Sequence, residues 1–236
     1  MILLTQSIKK DLRDMADPQK APQMQRYMKS EMPFHGVQAP IQQKIFNSAF
    51  KQFPIRDAEE WQTAILDLWR KAEFREERYA AIALTGVKRY RRFQSTSSVT
   101  MYEEMIVDGA WWDYVDALSN RLGELLIDAR TPVTKQMYRW ARSDDMWKRR
   151  VSIICQRKLR QETDTELLFK NIIENMADEE FFIRKAIGWA LREYSKTSVQ
   201  SVTDFIFTHR TELSPLSKKE GLKVLIKKGL VDSVPG

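Results

Sequence analysis

The sequence predicts an all-α chain, a solenoid of HEAT-like helical repeats, and three observations point there. Apolar residues recur at helical spacing, as where Trp61, Ile65, Leu68 and Trp69 stand at i, i+4, i+7 and i+8. Convincing alternating runs bounded by turns are missing. A register of like-placed residues (Arg78, Asp116, Arg150, Arg184 and Lys218) recurs at separations of 38, 34, 34 and 34 residues. That is the period of stacked helix pairs.

Along the chain, Ala58 to Lys71 carries the first clear stripe, and EFREERYAAIAL (residues 73–84) follows it as the second helix of a pair. The second helices continue as AWWDYVDAL (110–118), DMWKRRVSIIC (145–155) and EFFIRKAIGWAL (180–191). Leu168, Ile172 and Met176 repeat the helical spacing, and so do Val202, Phe205 and Ile206. The eight prolines fall at helix starts or in connections. Pro40, Pro132 and Pro215 each stand just before a new periodicity, where the first helical turn tolerates a missing amide donor. About six pairs of roughly 40 residues fit the length. No repeat buries its apolar face alone and no Gly/Ser-rich linker divides the chain, so residues 1–236 are expected to form a single HEAT-like repeat domain.

Composition narrows the function. The 39 Lys and Arg against 32 Asp and Glu give a formal charge of +7, a basic balance suited to nucleic acid or an acidic surface. Cys155 is the sole cysteine, so internal disulfides are excluded and a reducing compartment fits. The opening MILLTQSIKKDL has too short an apolar core for a signal peptide, and no stretch reaches membrane-spanning length. A cytoplasmic protein with no membrane association is expected. His35 and His209 stand isolated and are expected at the surface or at helix caps, so no His/Cys metal cluster is expected. Neither GxGxxG nor GxxxxGK[ST] occurs, and no cofactor is expected. Cys155, inside an apolar helical run, reads as a small core residue.

The register carries four cations, which suit a polyanion, and one carboxylate, which suits a positively charged substrate. In the segment from Gly109 to Asp116, Trp112 and Asp116 stand one helical turn apart and share a face. An aromatic wall beside a carboxylate is a setting for positive charge. The same positions also allow a plain structural role, with Asp116 paired to a register arginine such as Arg150. A second constellation places Lys185, Trp189 and Arg192 at i, i+4 and i+7, two cations flanking an indole, with Arg149, Arg150, Arg157, Lys158 and Arg160 one repeat earlier. Basic residues interleaved with an aromatic suit a phosphate backbone and a sugar or base face.

At these residues the chain resembles the AlkD-type DNA alkylation repair proteins, HEAT-like repeat DNA glycosylases that excise positively charged alkylated bases. The matching strings are Arg26-Tyr27-Met28-Lys29, Trp111-Trp112-Asp113-x-Val115-Asp116, Ser143-Asp144-x-x-Trp147-x-x-Arg150, Phe181 through Tyr194, and Leu213 through Lys218. They cover most of the chain. The resemblance implies a concave basic face holding duplex DNA without a base pocket. It places the catalytic aspartate on Asp116, the active-site tryptophans on Trp112 and Trp189, and a DNA-holding arginine on Arg150. It places on Tyr27 a tyrosine near the lesion strand. Arg149, Arg184, Lys185, Arg192 and Lys218 join Tyr27 and Arg150 as expected DNA contacts. In Val37-Gln38-Ala39-Pro40, alanine stands where the family is associated with threonine, removing a hydroxyl from a helix start.

The resemblance implies a monofunctional glycosylase that releases 3-methyladenine or 7-methylguanine from duplex DNA and leaves an abasic site. The partner is then double-stranded DNA containing alkylated bases, and a monomer is expected. Two other readings fit a helical-repeat chain: a non-catalytic protein that binds branched or damaged DNA, and a protein-binding solenoid. The intact tryptophan and aspartate set argues against both.

Overall fold

The computed structural model describes residues 2–235, and no strand occurs among them. The chain separates into two compact units, Met1–Met101 and Tyr102–Gly236. The first contains α1 (Ile2–Asp14), α2 (Ala21–Met28), α3 (Ala39–Gln52), α4 (Ala58–Arg70) and α5 (Arg75–Thr85), then a 3₁₀ turn at Lys88–Phe93; the division falls within α6 (Ser98–Gly109). The second continues with α7 (Trp112–Asp128), α8 (Arg130–Ala141), α9 (Met146–Ile154), a 3₁₀ turn at Arg160–Glu162, α10 (Thr165–Asn175), α11 (Phe181–Tyr194), α12 (Val199–Thr208) and α13 (Pro215–Lys227).

In the first unit the expected stripe on α4 is the core: Trp61, Ile65, Leu68 and Trp69 are buried, against Leu4, Ile8 and Leu12 of α1 and Ala80, Ala81 and Leu84 of α5. Asp57 starts α4 by accepting a hydrogen bond from the Glu60 amide at 2.8 Å. By contrast α3 starts without a side-chain cap, its N-cap Gln38 and first residue Ala39 supplying none, and Pro40 occupies the first turn. The register member Arg78 stacks over Trp69, 4.4 Å from the ring centroid.

His35 corrects one expectation. It is neither at the surface nor at a cap but 6% exposed, stacked on Phe74 with ring centroids 3.8 Å apart, and within 3.2 Å of Glu77 Oε1. Its loop is tied down by the buried carboxylate of Glu76, which accepts from the amides of His35, Gly36 and Val37 at 3.0, 2.9 and 3.1 Å. A short polar loop buries its backbone only when its donors are satisfied, and the histidine is carried inward with it. His209 does lie where expected, at the C-cap of α12.

The second unit stacks in two rows. α7, α9, α11 and α13 pack each on the next, while α8 and α10 back them and α12 packs on α11 and α13. Asp145, Asp164, Ser198 and Ser214 cap α9, α10, α12 and α13, each accepting from the amide three residues on. The close approaches are set by glycines. A Cβ on Gly123 of α7 would overlap the Cys155 carbonyl oxygen, and one on Gly188 of α11 would lie 2.5 Å from Glu220 Cβ and 2.9 Å from the Ser217 carbonyl of α13. This stacking, one step per 34 residues, is the HEAT-like arrangement the register predicts. It sets Asp116, Arg150, Arg184 and Lys218 at matching places on consecutive helices. Among the described residues no helix is long and apolar enough to cross a membrane.

Candidate active site

The site begins at the join of α6 and α7. Ala110 adopts a left-handed conformation with φ of 36°, which ends α6 and launches α7 from the extended Trp111. Trp111 packs against Trp147 and Phe182, with ring centroids 6.2 and 5.6 Å apart, and this aromatic cluster joins the starts of α7, α9 and α11. One turn into α7, Asp116 meets Arg150 of α9 in a two-point pair: Nε donates to Oδ1 at 2.8 Å and Nη2 to Oδ2 at 2.9 Å. The third donor, Nη1, goes to the Phe182 carbonyl of α11 at 2.6 Å. The Arg150 side chain is 5% exposed, and Asp116 keeps 12% of its own exposed. Both oxygens of the carboxylate are thereby fixed in direction before any substrate arrives.

Beside this pair an open cleft of about 300 Å³ is lined by Trp112, Arg150, Phe181, Phe182, Lys185, Trp189, Arg192 and Glu220. It therefore gathers both tryptophans and three of the cations that the sequence singles out. Lys185 and Arg192 flank Trp189 as the spacing predicts, and both are bridged by Glu220 of α13, at 2.9 and 2.5 Å. The hydrogen bond from Lys185 holds the Glu220 carboxyl below its ordinary value, and the nearby charges of Lys185, Arg192 and Lys223 act the same way against burial. Gly188 permits this bridge, because it lets α13 approach α11.

Two further residues complete the site: Arg157, which the sequence offers only as one more nearby cation, and Glu220, outside the expected set. Arg157, past the end of α9, donates from Nη2 to the main-chain carbonyl of Asp116 and from Nη1 to Ser119 Oγ, both at 2.7 Å. Its guanidinium lies over Trp189, 4.4 Å from the ring centroid. Burial holds it below its ordinary pKa, the pull of Asp116 opposing and the Arg150 charge reinforcing this. Glu220 is the other, and only its place two residues after the register lysine hints at it.

The remaining residues expected at DNA are placed as follows. Arg149 pairs with Asp178 and donates to the carbonyls of Ser143 and Asp144. Arg184 donates to the Asp178 carbonyl at 3.1 Å. Lys218 is 6% exposed, with Nζ donating to the Arg210 carbonyl at 2.8 Å. The repeat register thus runs inward at Arg150 and Lys218, and outward reach falls to Lys185 and Arg192. Tyr27, on α2 of the first unit, is 76% exposed.

The model of the family described as DNA alkylation repair enzyme matches residues 8–225. The chain belongs to that family. Among solved structures, a predicted DNA alkylation repair enzyme from Enterococcus faecalis is 33% identical, with a TM-score of 0.80 over 90% of this chain and 98% of that one. No curated protein matches. As a DNA alkylation repair enzyme, the chain has alkylation damage as its target and DNA as its partner. Glu220 occupies both cations, so if Lys185 and Arg192 are phosphate ligands it competes with phosphate for them. Glu220→Gln frees Lys185 and Arg192, so log Kd for intact duplex should depend on log salt more steeply by about one to two. An unchanged slope would exclude these two cations as phosphate ligands.

Proposed function

We propose that this repair enzyme is a monofunctional DNA glycosylase that hydrolyses the N-glycosidic bond of positively charged alkylated purines, 3-methyladenine and 7-methylguanine, in duplex DNA. The observation that carries the reading is the Asp116 carboxylate, fixed at both oxygens by Arg150 and placed on one helical turn with Trp112, beside the cleft that Trp189 lines. A base carrying a formal positive charge needs no general acid: when the C1′–N bond breaks, its electron pair neutralises the purine. Positive charge then moves to the sugar, as in glycoside hydrolysis. A preorganised carboxylate stabilises that charge and orients the water that adds to C1′, whose proton passes to solvent. The indole faces of Trp112 and Trp189 favour the same developing cation over the neutral sugar. Lys185, the lysine of the cleft, is held by Glu220 and not poised as a covalent nucleophile, in keeping with hydrolysis alone. The reading carries with it a monomer working on the chromosome in the cytoplasm.

The test is release of free base from methylated duplex, with the strand left intact at an abasic site. Appearance of 3-methyladenine and 7-methylguanine is expected. Tight duplex binding with no base released would instead make the chain a non-catalytic DNA-binding member of its family.

A further inference from the structure

Arg157 stands just past the C-cap of α9, in the turn that closes that helix. Its guanidinium completes a small ring of contacts at the Asp116 turn of α7. Nη2 donates to the Asp116 carbonyl and Nη1 to Ser119 Oγ, both at 2.7 Å, and the Ser119 hydroxyl itself donates to that carbonyl at 2.9 Å. While its two Nη groups are so engaged, the guanidinium lies over Trp189 of α11, 4.4 Å from the ring centroid. Trp189 lines the cleft beside Asp116 and Arg157 does not, so the guanidinium backs the indole from outside the cleft. Arg150 fixes the Asp116 carboxylate by its two oxygens. Arg157 holds the main chain that carries it. Trp189 is only half-buried, and an indole on a partly open helix face has more than one rotamer unless a neighbour selects one.

We propose that Arg157 is a positioning residue for base excision. It sets the Trp189 indole and the Asp116 turn in one fixed relation, so that ring and carboxylate meet the same sugar. The inference rests on the glycosylase reading and adds to it a group that touches neither base nor sugar. A guanidinium suits the task and an ammonium does not. Its planar fork serves two acceptors at once and its face stacks on an aromatic, whereas lysine carries its charge as a point on a flexible stem. The charge itself brings no advantage, because a cation behind the ring opposes a second one developing in front of it. What Arg157 contributes is geometry, and reacting groups misplaced by about 1 Å lose about 100-fold in rate.

The test is Arg157→Lys, which keeps the net charge and so separates geometry from attraction to the duplex. Duplex affinity should stay within about twofold of wild type. Single-turnover base release at saturating enzyme should fall about tenfold with Tm little changed. Arg157→Ala should recover part of its lost rate with millimolar methylguanidinium and none with methylammonium at equal concentration. A second readout needs no substrate. With fluorotryptophan incorporated, the Trp189 fluorine resonance, identified by its absence in Trp189→Phe, should shift and broaden in Arg157→Lys. An unmoved resonance would overturn the hold on the ring, and wild-type release by Arg157→Lys would overturn its bearing on the reaction. A rate that falls only in step with Tm, without guanidinium rescue, would make Arg157 purely structural and overturn the proposal. Should the wild type release no base, the glycosylase reading fails, and the fluorine resonance still decides whether Arg157 holds Trp189.

Discussion

Asp116→Asn should abolish most base release while leaving the cleft able to receive DNA. Loss of a preorganised charge of this kind costs about 100-fold or more in the chemical step, read as single-turnover release of 7-methylguanine. The substitution also harms the fold. An asparagine offers one oxygen to the guanidinium and turns an NH₂ group toward its other N–H, so a donor meets a donor and the 5%-exposed Arg150 loses its counter-ion. Breaking a buried pair from one side costs about 3–5 kcal/mol, a fall in Tm on the order of 10 °C for a chain of this size. The two effects separate in Asp116→Leu/Arg150→Met, where an apolar pair replaces the ionic one. That double variant should recover most of the lost stability and none of the excision. If it excises at the wild-type rate, or if Asp116→Asn alone does, the carboxylate is structural only.

Gly123→Ala should be the most damaging single methyl group in the second unit. Its Cβ would meet the Cys155 carbonyl oxygen, a main-chain atom at the C-cap of α9, so relief requires the end of α9 to move away from α7. Arg150 travels with α9 and Asp116 stays on α7. Overpacking against backbone costs about 3 kcal/mol, the upper end for an added core methylene. Excision should fall with it, as the two-point pair is drawn apart. Gly221→Ala is the matched control: its Cβ would meet Ile206 Cδ1 at 3.1 Å, which can turn aside, and Leu191 Cβ at 3.3 Å, which needs to give by only a few tenths of an ångström. Helix propensity favours alanine by about 1 kcal/mol, so that variant should be close to neutral. Equal losses of Tm in the two variants would exclude the helix-approach account.

Much of the fold and the site is legible in the sequence, and the boundary follows physical lines. Helical periodicity placed the α4 core, the i, i+4 relation of Trp112 to Asp116, and the two cations around Trp189, because each depends only on 3.6 residues per turn. The 34-residue register named Asp116 and Arg150 as possible partners, since stacked repeats bring like positions together. The same register suggested an outward row of cations, and there it was incomplete. Lys218 is drawn to a carbonyl of the α12–α13 connection, an acceptor whose position no periodicity specifies. Arg157 stands 41 residues from Asp116, off the register, and reaches the site only because the chain turns back after α9. His35 looked like a surface residue because the carboxylates that bury its loop, Glu76 and Glu77, lie some 40 residues away.

Cys155 takes on a different meaning in a protein that meets methylating agents. Electrophiles that alkylate purine nitrogens also attack sulfur, and they attack thiolates far faster than thiols. Cys155 is 1% exposed, and burial pushes its thiol up to about 12. At neutral pH the group therefore stays a thiol, and its burial shields it from reagents in solvent. The chain's single thiol is therefore poorly placed to react with the reagents that damage its DNA target, and in the folded protein Cys155 should alkylate far more slowly than a free thiol.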